Sequence, residues 1–238
     1  MATLKHIASK NSDYTAIEAY LVYQHDEFSG KVILDKQGRP MLRESYILDT
    51  LECGDFSFAT VCLLANRKYG KNTQRDDIKS HQYIISFDPR DAADNGLTME
   101  KAQALGLKFC EENFPGHPAI VCTHPDGHNH SGNIHVHIVI GSIRTREVER
   151  KPYMQKPRDW REGMKHSSTA QTMRHLRVEV MELAKVPDCT RSTCSTDQRS
   201  VSAKPSIGHA GAGSRSSTLQ TQPLPQLDNS PSRRSLKP

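Results

Sequence analysis

Two rhythms of apolar and polar positions run along the first three quarters of the chain, and each predicts its own kind of element. In YTAIEAYLVY (14–23) and FSFATVCLLANRKYG (56–70) apolar side chains recur three and four residues apart, the period of one helix face. Ser12 or Asp13 stands where the first helix needs an N-cap, and Asp55 and Gly70 bracket the second. TMEKAQALGLKFCEENF (98–114) keeps the helical spacing until it runs into Pro115-Gly116, and STAQTMRHLRVEVMELA (168–184) repeats it. The second rhythm is that of strands. HQYIISF (81–87), PAIVCT (118–123) and NIHVHIVIGSI (133–143) are rich in β-branched and aromatic residues and are bounded by turn residues. PDGHNHSG separates the last two strands, so 118–143 is expected to form an antiparallel hairpin. The irregular succession of strands and helices predicts an α+β fold, an antiparallel β-sheet with flanking helices.

After Ala184 the pattern stops. Residues 185–238 are rich in Ser, Thr, Pro and Gly, with few large apolar side chains and no period, so they are expected to be disordered. The division predicted is a domain at 1–184 and a tail at 185–238. The tail is either a native flexible segment or an out-of-frame continuation of a helix cut off without a stop signal.

Charge sharpens that division. The chain carries a net +5, yet residues 1–184 hold 24 Lys and Arg against 24 Asp and Glu, and residues 185–238 hold 8 against 3. The excess lies in the tail, so nucleic-acid binding by the domain must rest on local patches. No apolar run approaches the roughly 20 residues of a membrane span. The first residues lack the apolar core of a signal peptide, which predicts a reducing cytoplasmic setting. The six cysteines form no C-x-x-C pair and are read as free thiols.

Candidate chemistry is concentrated in CTHPDGHNHSGNIHVHIVIGS (122–142), where five of the twelve histidines fall within fourteen residues. Alternate residues of a strand share a face, so His135 and His137 project together while Ile134, Val136 and Ile138 face a core. His124, at the end of the preceding strand, comes close to both if the hairpin forms. Three neutral imidazoles can then converge on one divalent cation and leave positions open for water or a phosphate oxygen. A lone H-x-H is more often a strand with surface histidines; the buried IVI and the third histidine shift the balance here. Asp126 either accepts the N–H that a ligand imidazole turns away from the metal or is a turn residue of P-D-G. His128 and His130 lie in the turn.

The arrangement T-H-x-D, then H-hydrophobic-H-hydrophobic-hydrophobic eleven residues on, resembles the metal motif of relaxases, the mobilisation nucleases of conjugative plasmids and transposons within the HUH endonuclease superfamily. The Y-L-x-x-x-H-D segment at Tyr20–Asp26 and the strand HQYIISFDPRD resemble the same family, over roughly residues 1–184. The resemblance implies an HUH-type fold in the bacterial cytoplasm and a metal held by His124, His135 and His137. It implies a tyrosine that nicks single-stranded DNA at an origin of transfer, leaving a 5′-phosphotyrosyl link. Tyr20 is the expected nucleophile and Tyr23 the reserve. His81 is a candidate general base or orienting group. The metal expected is Mn or Mg, with Zn also compatible, and accessory mobilisation proteins are the expected partners. Residues 144–165 carry 8 Lys and Arg against 4 acids, so Arg144, Arg146, Lys151, Tyr153 and Trp160 are candidates for DNA contact. RKYGKNTQR (67–75) is a second such stretch. The rivals are a replication initiator or transposase of the same superfamily, a truncated inactive fragment that binds metal and DNA only, and a three-histidine zinc hydrolase.

Overall fold

In the computed structural model, residues 2–26, 29–125 and 132–183 are described. The predicted tail and the turn holding Asp126, His128 and His130 lie outside them. Five strands, β1 (Thr3–Ser9), β2 (Ile47–Leu51), β3 (Ser80–Ser86), β4 (Ala119–His124) and β5 (His135–Gly141), form one sheet in the order β1-β3-β5-β4-β2. Every neighbouring pair is antiparallel, and β4 and β5 make the predicted hairpin. The helices are α1 (Tyr14–Val22), α2 (Phe58–Tyr69), α3 (Pro89–Asn95), α4 (Met99–Asn113) and α5 (Ala170–Leu183). The fold is α+β.

The pleat divides the core in two. Val136, Ile138 and Ile140 of β5 join Tyr83, Ile85 and Val121 under Phe109 of α4 and Leu176 and Val180 of α5. Val139, Ile120 and Cys122 face the other way, under Tyr14 and Leu21 of α1 and Phe58 and Cys62 of α2. The central strand β5 is thus buried on both faces, which is why its sequence is nearly continuous in apolar residues. Gly106 lets α4 sit close: a Cβ there would meet Val136 Cγ1 at 2.5 Å. An alanine at 106 would therefore press on β5 between His135 and His137.

Helix ends follow local chemistry. Asp13 caps α1 by accepting from the Thr15 and Ala16 amides at 3.0 and 3.2 Å. Ser57, not Asp55, caps α2, accepting from the Thr60 amide at 3.2 Å, and Gly70 ends it with φ +59°. β1, β2 and α3 were not predicted. β1 and β2 are the edge strands, with few buried positions, and α3 buries no residue, so none carries a clear period. Cys53, Cys62, Cys110 and Cys122 are free and buried, as read from the sequence, whereas Cys189 and Cys194 lie outside the described residues.

Candidate metal centre

Three imidazoles meet at one end of the sheet. His124 ends β4 directly opposite His135, the first residue of β5, and His137 follows on the same face. Ring centroids lie 4.8–5.1 Å apart, and one nitrogen from each ring lies within 4.8 Å of the other two. A carbonyl oxygen can only accept, so His124 donates Nε2–H to the Leu21 carbonyl at 2.8 Å and turns the bare Nδ1 toward His135 Nε2, 3.3 Å away. His135 Nδ1 lies 3.3 Å from the Asn133 carbonyl. His137 Nδ1 lies 2.7 Å from the Gln82 side-chain amide. The atom placed there is the Gln82 amide nitrogen, which donates to Nδ1; with the amide turned over, its oxygen accepts from Nδ1–H and Nε2 keeps its lone pair for a cation. Leu21 and Gln82 had no signature in the sequence, because their parts follow from helix docking and strand register.

Burial favours the neutral form of two of these rings, His124 and His137. It pushes the His124 imidazole down to about 3, with the nearby Arg43 charge and His135 adding to the effect. His137 is held well below the ordinary histidine range, first by burial and then by His124, His135 and Arg43. Neutral imidazoles with their outer nitrogens tied suit a divalent cation, so the donor set fits the expected metal. Three nitrogen donors favour Mn or Zn over Mg, which prefers oxygen.

Tyr20 and Tyr23 part company. The Tyr20 ring stands edge-on to His137, with centroids 6.2 Å apart at 81°, and lies 5.0 Å from the His25 ring. Its side chain is 42% exposed. Tyr23 is the C-cap of α1, with extended backbone at φ −96° and ψ 154°, and it bridges to Leu42. Tyr20 lies within α1 and Tyr23 at its end, so the two do not share one helical surface.

The other predicted residues are not brought to the cluster. His81 pairs with Ile140, on the opposite face of the sheet from His135 and His137. Its neighbours are His6, whose Nε2 lies 3.0 Å from His81 Nδ1, and His166, with ring centroids 4.8 Å apart. A role for His81 as general base at the metal centre is therefore corrected. The basic stretch 144–165 leaves from the far end of β5, about 20 Å away at the rise of a strand. Arg144 is only 3% exposed and donates to the Pro115 and Asp159 carbonyls, which excludes it as a DNA contact. Arg146 pairs with Glu52, Lys151 donates to the Glu112 carbonyl, and the Tyr153 hydroxyl donates to Asn113 O at 3.1 Å. Trp160 lies under the Arg150 guanidinium, 5.0 Å from its ring centre. Lys68 and Lys71 hold Glu162 and the Gly163 carbonyl, so the second basic stretch fastens the first.

Residues 43–175 match the family described as relaxase, MobA/VirD2-like, nuclease domain, which is more than half of the 238-residue chain. The chain belongs to this relaxase family. The relaxase domain is 37% identical over 94 residues to protein rlx of Staphylococcus aureus, an overlap covering 39% of this chain and 24% of that protein. The chain thus spans about a quarter of the length of that relative. Two solved structures of the conjugative relaxase TrwC with oriT DNA are also similar. One, copper-bound, has a TM-score of 0.42 and 13% identity, covering 77% of this chain and 68% of that one. The other, metal-bound, has a TM-score of 0.41 and 10% identity, covering 76% and 68%. No helix among the described residues of the relaxase domain is long and apolar enough to cross a membrane.

Proposed function

We propose that the domain nicks single-stranded DNA at an origin of transfer, with the Tyr20 phenol oxygen as nucleophile and His124, His135 and His137 as ligands of a divalent cation. The observation that carries the reading is the Tyr20 ring set edge-on to His137 in a chain of the relaxase family. Tyr20 Oη attacks the scissile phosphorus, the bond to the 3′ oxygen breaks, and a 5′-phosphotyrosyl diester forms. One proton leaves the phenol and one joins the 3′ oxygen. One phosphodiester replaces another, so the strand can be resealed by reversal. When bound, the cation supplies positive charge beside the phosphate. The chain's own residues do the rest. Leu21 O and Gln82 fix the ligand tautomers, and α1 carries Tyr20 on the turn that holds His124. Cytoplasmic action with accessory mobilisation proteins belongs to the same reading. A zinc hydrolase of peptides has no support from the family.

The test is a denaturing gel of the protein with single-stranded oligonucleotides tiling its element's transfer origin, with Mn. Wild type and Tyr23→Phe should give a protein–DNA adduct, and Tyr20→Phe should give none. An adduct that survives in Tyr20→Phe and vanishes in Tyr23→Phe would move the nucleophile. No adduct from wild type on any origin oligonucleotide would overturn the nickase reading.

A further inference from the structure

Arg43, which had no signature in the sequence, returns to the end of the helix that carries Tyr20. After α1 the chain runs out and back as a narrow arm, closed by bridges between Tyr23 and Leu42, His25 and Val32, and Leu34 and Pro40. The arm returns to the helix end, where the Arg43 amide donates to the Val22 carbonyl at 2.9 Å. Arg43 is thereby fixed beside the helix that carries Tyr20. The neighbouring Leu21 carbonyl holds His124 Nε2 at 2.8 Å, so Arg43 and the ligand His124 are both fastened to the same end of α1. Its Nε is buried and has no hydrogen-bond partner among the described residues. A buried unpaired donor on a permanent cation is costly, and the missing partner is an acceptor. The sign of the charge narrows the choice. A fixed cation beside three metal-ligating imidazoles opposes a divalent ion, and only an anion entering between them reconciles the two.

We propose that Arg43 receives the scissile phosphodiester, its guanidinium donating to a nonbridging oxygen of the phosphate that Tyr20 attacks. This rests on the nickase reading. Guanidinium donors match phosphate oxygens, and charge that develops on those oxygens in the transition state is stabilised by donors already in place.

The test uses the full chain as Arg43→Gln and Arg43→Lys. Three quantities are read: adduct formation on an origin oligonucleotide with Mn, the salt dependence of oligonucleotide binding in a Tyr20→Phe background, and Mn affinity by calorimetry. In Arg43→Gln the adduct rate should fall about 10²- to 10³-fold. The slope of log affinity against log salt should shrink by about 0.7, one phosphate contact on a single strand. Mn affinity should hold or rise, because an opposing charge is gone, whereas a merely structural arginine would lower it. Arg43→Lys, which keeps the charge and loses the fork, should keep the salt slope and recover part of the rate. An unchanged salt slope and adduct rate in Arg43→Gln would overturn the proposal, as would a loss of Mn affinity in step with the rate in both variants. Wild type that binds the oligonucleotide without forming an adduct overturns the nickase step alone, since the salt slope still reports on Arg43. Wild type that binds no DNA overturns both.

Discussion

The sheet carries two buried histidine clusters, one on each face, and they differ in what their nitrogens do. On the face under α1 and α2, His124, His135 and His137 tie their outer nitrogens to a carbonyl, a carbonyl and an amide, and aim the others at a common point. On the face under α4 and α5, His6, His81, His117 and His166 turn nitrogens to the fold, and only the buried Nε2 of His117 is left without a partner among the described residues. His6 meets His81 at 3.0 Å, Tyr83 Oη meets His166 Nε2 at 2.8 Å, and His117 Nδ1 donates to Gly141 O at 2.9 Å. Among the described residues, only the first cluster brings three ligand atoms together. Burial and histidine content do not make a metal centre; lone pairs left over and pointed at one place do.

The largest expected effect separates the clusters outright. Tying atoms behind a ligand are alone worth about 10- to 100-fold in metal affinity, so loss of a ligand in His135→Ala should exceed 100-fold and abolish the adduct. His166→Leu should leave Mn affinity by calorimetry within a few-fold of wild type; a comparable loss there would erase the distinction. Next comes Tyr83→Phe, which strands the buried His166 Nε2 and should cost about 1–3 kcal/mol of unfolding free energy with unchanged metal affinity.

Acid should weaken the second cluster in a defined window. Burial first, and then the charges of His6 and Lys165, push the His81 imidazole down to about 3 from an ordinary 6.5, while the His6 and His166 rings pack beside it. The folded state thus favours neutral His81, so its contribution is complete above pH 6.5 and is lost as pH falls toward 3. Within that window the slope is about 1.4 kcal/mol per pH unit for each such histidine. His81→Gln should flatten the curve of unfolding free energy against pH, and an unaltered curve would show that His81 does not carry it. The smallest effect belongs to the far-end basic loop. Arg146→Ala breaks a half-exposed pair with Glu52 and should cost under about 1 kcal/mol, with no change in the salt slope of DNA binding.

The metal cluster was legible in the sequence because its determinants are local. H-x-H on a strand gives a shared face, and the pairing of β4 with β5 returns His124 to that face. His81 was misplaced because its face depends on register with β5, more than fifty residues away, and neither β1 nor β2 announced the sheet's full width. The loop 144–165 looked like a DNA surface because composition cannot tell an arginine that faces solvent from one that holds carbonyls, as Arg144 does. Arg43 was invisible for a related reason, since an arm of twenty residues intervenes between it and the helix end it returns to.

The hydrogen bond from His124 to the Leu21 carbonyl joins one of the three clustered imidazoles to the residue next to Tyr20. By reciprocity, whatever free energy metal binding gains from a seated α1, the seating of α1 gains from metal. Amide exchange in residues 14–22 should slow when Mn is added, and helix-loosening substitutions in α1 should weaken Mn binding. On the proposed reading, loading the metal and seating the helix that carries Tyr20 are one equilibrium.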